Sequence, residues 1–111
     1  MLVYCKPDGS CPVREFLGGL QASDRKKMLA LIEAASLNGP PKNREKNHQV
    51  EGHRFHEFKT HGHRIFWRWS GSREIILMHG FVKREDRTPK RELDAGDVLY
   101  GVIERELRGG K

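Results

Sequence analysis

From Arg54 to Lys90 the chain interleaves apolar side chains with fixed positive charge: Arg54, Lys59, Arg64, Arg68, Arg73, Lys83, Arg84, Arg87 and Lys90. Cations spaced along strands suit a sheet with one core face and one face that grips a polyanion. Arginine fits phosphate best, because its planar fork pairs two oxygens and stays charged. Glu57 and Lys59 are two residues apart, so a strand puts them on one face. The 6 histidines raise the question of a metal. His61 and His63 sit close together, with His53 and His56 nearby, yet no cysteine or acidic ligand joins them at metal-site spacing. No metal and no cofactor is expected. Glycine-rich phosphate loops, nucleophile elbows and the HExxH pattern do not occur.

The elements that position these residues must fit in 111 residues, read here as a single domain over residues 1–111. Apolar content is modest at 36% against 32% charged, which implies a small core under a large solvated surface. The net charge of +6 raises the prior for phosphate-bearing partners or an acidic protein. A basic but otherwise ordinary surface is the competing explanation. The two cysteines, Cys5 and Cys11, form no CxxC and no disulfide scaffold pattern, so they are read as reduced thiols in a cytosolic compartment. No stretch approaches the ~18–20 apolar residues of a membrane span. The first residues lack the apolar core of a secretory signal.

Residues 2–6 read as a short strand, followed by a Pro7-Asp8-Gly9-Ser10 turn. Cys11-Pro12 opens a short helix with Val13, Phe16 and Leu17 on one face, and Gly18-Gly19 ends it. Ser23 suits the N-cap of a second helix, with Asp24 at the positive end of its dipole. Met28, Leu31, Ile32 and Ala35 form its apolar stripe, and Asn38-Gly39-Pro40-Pro41 stops it. Residues 42–52 are polar and read as a loop. Residues 55–59 alternate, with Phe55, Glu57 and Lys59 opposite His56 and Phe58. Thr60-His61-Gly62 turns into a strand over 63–69. There Arg64, Phe66 and Arg68 share one face, and Ile65, Trp67 and Trp69 share the face better suited to the core. Ser70-Gly71-Ser72 turns again, and residues 74–82 form the most apolar, central strand. Thr88 as N-cap and Pro89 start a last helix with Leu93, Tyr100, Ile103 and Leu107 on its buried stripe. Gly96 and Gly101 weaken it, so it is expected to fray or to dock only on a partner. Residues 108–111 read as a tail. The order β-α-α-β-β-β-α gives an α+β fold: a small, mainly antiparallel sheet with a helical hairpin on one face.

In order and residues together, the chain resembles the RelE/HigB superfamily of toxin–antitoxin toxins, in particular its phage-derived, HigB-like branch. Phe55-His56-Glu57-Phe58-Lys59, Gly62-His63-Arg64-Ile65-Phe66-Trp67 and Ile75-Ile76-Leu77-Met78-His79-Gly80-Phe81-Val82-Lys83-Arg84 carry the likeness. Thr88-Pro89 and the first helix, from Cys11 to Leu17, fit it as well. The likeness is specific between Phe55 and Pro89. It implies a RelE-like fold and a metal-independent endoribonuclease that cuts mRNA in the ribosomal A site. It also implies a cognate antitoxin, usually a helix-turn-helix protein, through which alone the toxin would meet DNA; no membrane is involved.

Such cleavage uses the ribose 2′-hydroxyl as nucleophile and needs a base, cations for the charged transition state, and an acid for the leaving oxygen. The resemblance gives Arg64 the scissile phosphate, with Arg84 and Lys83 as further cations. A carboxylate partner across the sheet is the structural alternative for Arg64, and a solvated strand end for the other two. Glu57 occupies the place of the base, although a carboxylate among arginines is a weak base; orienting Arg64 or Lys59 is its other role. The tyrosine that some relatives use has no counterpart, since Lys90 falls there. His61, His63 and His79 are the imidazoles that could replace it. Arg68, Arg87 and Lys90 complete the expected RNA-binding set. Two other functions stay open: a gyrase inhibitor of the same fold, as in ParE-type toxins, and a basic nucleic-acid-binding module with no toxicity.

Overall fold

The computed structural model describes residues 1–71 and 73–109, so Ser72 of the expected turn and the last two residues of the expected tail lie outside it. Its elements are β1 (Leu2–Val3), α1 (Pro12–Gly18), α2 (Ala22–Asn38), β2 (Asn47–Gln49), β3 (His56–Thr60), β4 (His63–Trp69), β5 (Ile75–Val82) and α3 (Lys90–Gly109). The strands form one mixed sheet in the order β1-β5-β4-β3-β2, in which only β1 is parallel to its neighbour. This is an α+β architecture compatible with the RelE-like fold.

Helices cover both faces of the sheet. Against α1 and α2 pack Phe58, Ile65, Trp67, Ile75 and Leu77, together with Val13, Met28 and Ala35 from the helices. On the other face Phe55, Phe66, Ile76, Met78 and Phe81 pack under Ile103, Leu93, Leu99 and Tyr100 of α3. The expectation of a single core face with an open anion-binding face is therefore corrected. Phe66 and Phe81 are core, and Trp69, expected inside, is exposed at the end of β4. A β-bulge makes the second core possible. Phe66 pairs with His79 and Trp67 with Leu77, which leaves Met78 as the extra residue. Both Met78 and His79 consequently face α3.

The last helix is also corrected. It neither frays nor waits for a partner, but packs along the sheet. Gly96, read as a weakness, is what lets it approach: a Cβ there would lie 2.7 Å from Phe55 Cζ and 2.9 Å from Phe66 Cδ2. Its first bonds run from the Glu92 and Leu93 N–H groups to the Pro89 carbonyl, so the cap falls at Pro89 rather than Thr88. Arg108 lies within it rather than in a tail, and Leu107 stays exposed. Helix α2 is capped by Gln21, which leaves Ser23 in its first turn.

Two further corrections concern residues read as featureless. Asn47–Gln49, inside the expected loop, pair antiparallel with β3 as an edge strand. Asn47 is fixed there because its Oδ1 accepts from Trp67 Nε1 at 2.9 Å. Cys5 and Cys11, expected as thiols, are joined in a disulfide that ties the end of β1 to the start of α1. Their Cα atoms stand 4.1 Å apart across the Pro7–Ser10 turn, which brings the two side chains together despite the absence of a CxxC pattern. No helix among the described residues is long and apolar enough to cross a membrane.

Candidate nucleic-acid interface

Three of the expected cations, Arg64, Lys83 and Arg84, come from one end of the sheet. The β3–β4 hairpin turns through His61 and Gly62, the latter at φ 76°, a region where glycine is unstrained. The Gly62 carbonyl accepts from the Lys83 N–H at 2.8 Å. That bond pins the segment after β5 beside the hairpin, so Lys83 and Arg84 emerge at the same end as Arg64. Lys83 is half-buried; Arg84 and Arg87 are exposed and make no ion pair among the described residues.

Arg64 is the second residue of β4 and lies on the α3 face, opposite Phe81. Its Nη1 donates to the carbonyls of Thr60 and His63 at 2.8 and 2.9 Å. Its Nε stands 2.9 Å from Glu57 Oε1, but the N–H is not aimed along that line, so the contact is an ion pair rather than a hydrogen bond. Only Nη2 has no partner among the described residues. With 15% of its side chain exposed, Arg64 is held rigidly and can offer one arm of its fork outward.

Glu57 is buried, and its other oxygen lies 3.0 Å from His48 Nε2. His48 was missed as a site residue because its strand was missed; no signal in the polar 42–52 segment pointed to it. The register pairs His48 with Glu57, Glu57 with Phe66 and Phe66 with His79, one row across four strands. At the far end of that row His79 Nε2 stands 2.7 Å from Glu92 Oε1, which fixes β5 to the first turn of α3.

The remaining expected residues scatter. Lys59 Nζ donates to the Arg44 carbonyl at 3.1 Å and does not join Glu57. His61 is exposed on the turn. The His63 ring lies 6.2 Å from that of Phe16, on the α1 side, with its Nδ1 buried and unpartnered among the described residues. Lys90 is exposed and ion-paired with Asp94. Arg68 is buried at the opposite end of β4, its guanidinium 4.0 Å from the Tyr100 ring centre and its Nη2 3.0 Å from Glu104. The neighbouring Arg108 and then Arg68 hold the Glu104 carboxyl below the usual carboxylate range. On the α2 side, His56 stacks on Trp67 at 4.3 Å, and burial pushes its pKa down.

Taken together, the end of the sheet presents one preorganised guanidinium arm, an adjoining pair of cations and a buried anion that cannot move. This can bind phosphate oxygens and stabilise charge developing on them. Residues 15–100 match the model of the phage-derived Gp49-like proteins. The chain belongs to the Gp49-like family. It is a family of RelE/HigB-like toxins. Comparison with curated proteins gives no match. The matched part of this Gp49-like protein includes His48, Glu57, Arg64, Lys83 and Arg84, whereas Cys5, Cys11 and Glu104 lie outside it.

Proposed function

We propose that this Gp49-like protein is the toxin of a type II toxin–antitoxin system, of the HigB-like branch, and a metal-independent endoribonuclease acting on mRNA at the ribosome. A cognate antitoxin, of helix-turn-helix type, neutralises it and supplies any contact with DNA; the site of action is the cytoplasm. The supporting observation is the single Arg64 arm held by Glu57 and the hairpin carbonyls, at the same sheet end as Lys83 and Arg84. Arg64 Nη2, Lys83 and Arg84 meet the scissile and flanking phosphates. Glu57, with both oxygens occupied, positions Arg64 instead of acting as base. His79, on the same sheet face as Arg64 and fixed by Glu92, is the imidazole we assign to proton transfer.

Removing Arg64 altogether would strand a buried carboxylate, a change that costs about 3–5 kcal/mol and confuses loss of function with unfolding. The test therefore uses Arg64→Lys, which keeps the charge and loses the fork, combined with Arg84→Ala. Transcripts are mapped after brief induction, and supercoiling by gyrase is assayed alongside. Wild type should cut mRNA within codons, and the double variant, still folded, should not. A gyrase inhibitor is the second reading, favoured by the engagement of both Glu57 oxygens. Undiminished growth arrest in the double variant, with lost supercoiling and intact transcripts, would establish that reading in place of the first.

A further inference from the structure

Helix α2 is apolar on more sides than the sheet can cover. Met28 and Ala35 are buried on the core side, while Leu29 and Leu37 are 44% and 75% exposed. Between α2, the start of the 42–52 segment and β3 runs a groove of about 550 Å³, lined by Lys27, Ala30, Ala34, Pro41, Lys46 and Lys59. Leu31 and Thr60 complete it. Every charged lining residue is a lysine, and none of the three makes an ion pair among the described residues. Lys59 spends one of its three donors on the Arg44 carbonyl.

The helical spacing aligns the floor. The lining residues Lys27, Ala30 and Ala34 fall at i, i+3 and i+7, and the exposed Leu37 at i+10 extends the stripe beyond the groove to about three turns. Ala30 and Ala34 are small and exposed, so a second helix can approach α2 closely along it, as ridge-in-groove packing requires. An apolar floor between unpaired ammonium groups complements one kind of occupant: an apolar helix face flanked by carboxylates. Two alternatives fit worse. A polynucleotide would meet the lysines but find no aromatic ring among the lining residues on which to stack a base. A second copy of this chain carries its own net charge of +6.

We propose that this groove is the docking site for an acidic amphipathic helix of a partner protein. The groove lies on the α2 side of the sheet, so the proposal stands whether or not the Arg64 end cleaves RNA.

The test titrates the isotope-labelled full chain with synthetic peptides of about four helical turns and follows amide resonances. One peptide has a leucine/alanine face flanked by glutamates. In a second, the glutamates are replaced by glutamines, and in a third the same residues are scrambled. The acidic peptide should shift the amides of Lys27, Ala30, Ala34, Leu37, Lys46 and Thr60. The glutamine peptide should bind about tenfold more weakly, as rim ion pairs of ordinary strength predict, and added salt should narrow the gap. Lys27→Glu with Lys46→Glu should reproduce that loss. Ala34→Trp, at an exposed position that leaves the fold intact by circular dichroism, should abolish binding by filling the groove. Absence of shifts at millimolar peptide, equal shifts with the scrambled peptide, or shifts centred on residues 83–90 would each overturn the proposal. So would a short oligoribonucleotide moving the groove resonances more than the acidic peptide, or a groove-dependent dimer in light scattering.

Discussion

Arg64 and Arg68 sit on the same strand, face the same helix and are two side-chain repeats of two apart, yet the fold holds them differently. Arg68 is enclosed. Its Nε donates to the Trp69 carbonyl, Nη1 to the Tyr100 carbonyl and Nη2 meets Glu104, while its plane covers the Tyr100 ring. Arg64 is held through Nη1 and Nε alone, so Nη2 is left over. Residue type and strand face do not separate an enclosed arginine from one with a donor to spare. What separates them is how many of the five N–H groups the fold consumes.

The largest effect that would test this contrast is on catalysis. Arg64→Lys with Arg84→Ala should lower mRNA cleavage by about 10²–10³-fold, the scale of a lost transition-state donor. Thermal unfolding should move little, because the lysine still faces Glu57. A variant that cuts normally would place Arg64 in the same structural class as Arg68.

Arg68→Ala should do the reverse. It removes two carbonyl hydrogen bonds and the stacked guanidinium from a buried position, a loss of about 2–3 kcal/mol in denaturant unfolding. Cleavage per folded molecule should hold. A folded Arg68→Ala protein with no activity would show that the far end of β4 belongs to the site.

A control region that bonds to neither arginine is the turn closed by Cys5 and Cys11. Reduction by a small dithiol, or Cys5→Ser with Cys11→Ser, should cost about 2 kcal/mol, the chain-entropy value for so short a loop. Activity should again be unchanged. Identical denaturant midpoints with and without the dithiol would mean that the bond contributes nothing to the fold.

The same contrast explains what was legible beforehand. The strand over residues 63–69 could be read to the residue, since its alternation is unbroken and turn residues flank it. The second core could not. The bulge at Met78 shifts the face of His79 and Phe81, and no residue type announces a bulge. Gly96 carried the wrong message, because helix propensity alone cannot show that two aromatic rings wait beneath it. Asn47–Gln49 is a strand through its pairing with β3 and its hold on Trp67, neither of which polar composition reveals. At the Arg64 end of the sheet, the strand positions of Arg64 and Glu57 were readable. The partners that hold them, His48 above all, were not.

The smallest expected effect concerns the other imidazole of that neighbourhood. His56, next to Phe55 in sequence, turns to the opposite, α2 side, where burial against Trp67, and then the charge of His48, depress its pKa below the usual 6.5. Above 6.5 neither the folded nor the unfolded chain holds a proton there, and stability from this group is at its full value. As pH falls below 6.5 the unfolded chain takes up the proton first, so stability declines until the folded-state pKa is reached and then levels off. Glu104, with its lowered carboxyl pKa, adds a separate decline at lower pH, below its ordinary 4.5. Unfolding midpoints measured across the pH range should therefore show two steps. His56→Phe should flatten the upper step, and Arg68→Ala should shrink the lower one. A single acid step in His56→Phe that matches wild type above pH 4.5 would mean that the buried imidazole takes its proton without penalty, against the packing seen here.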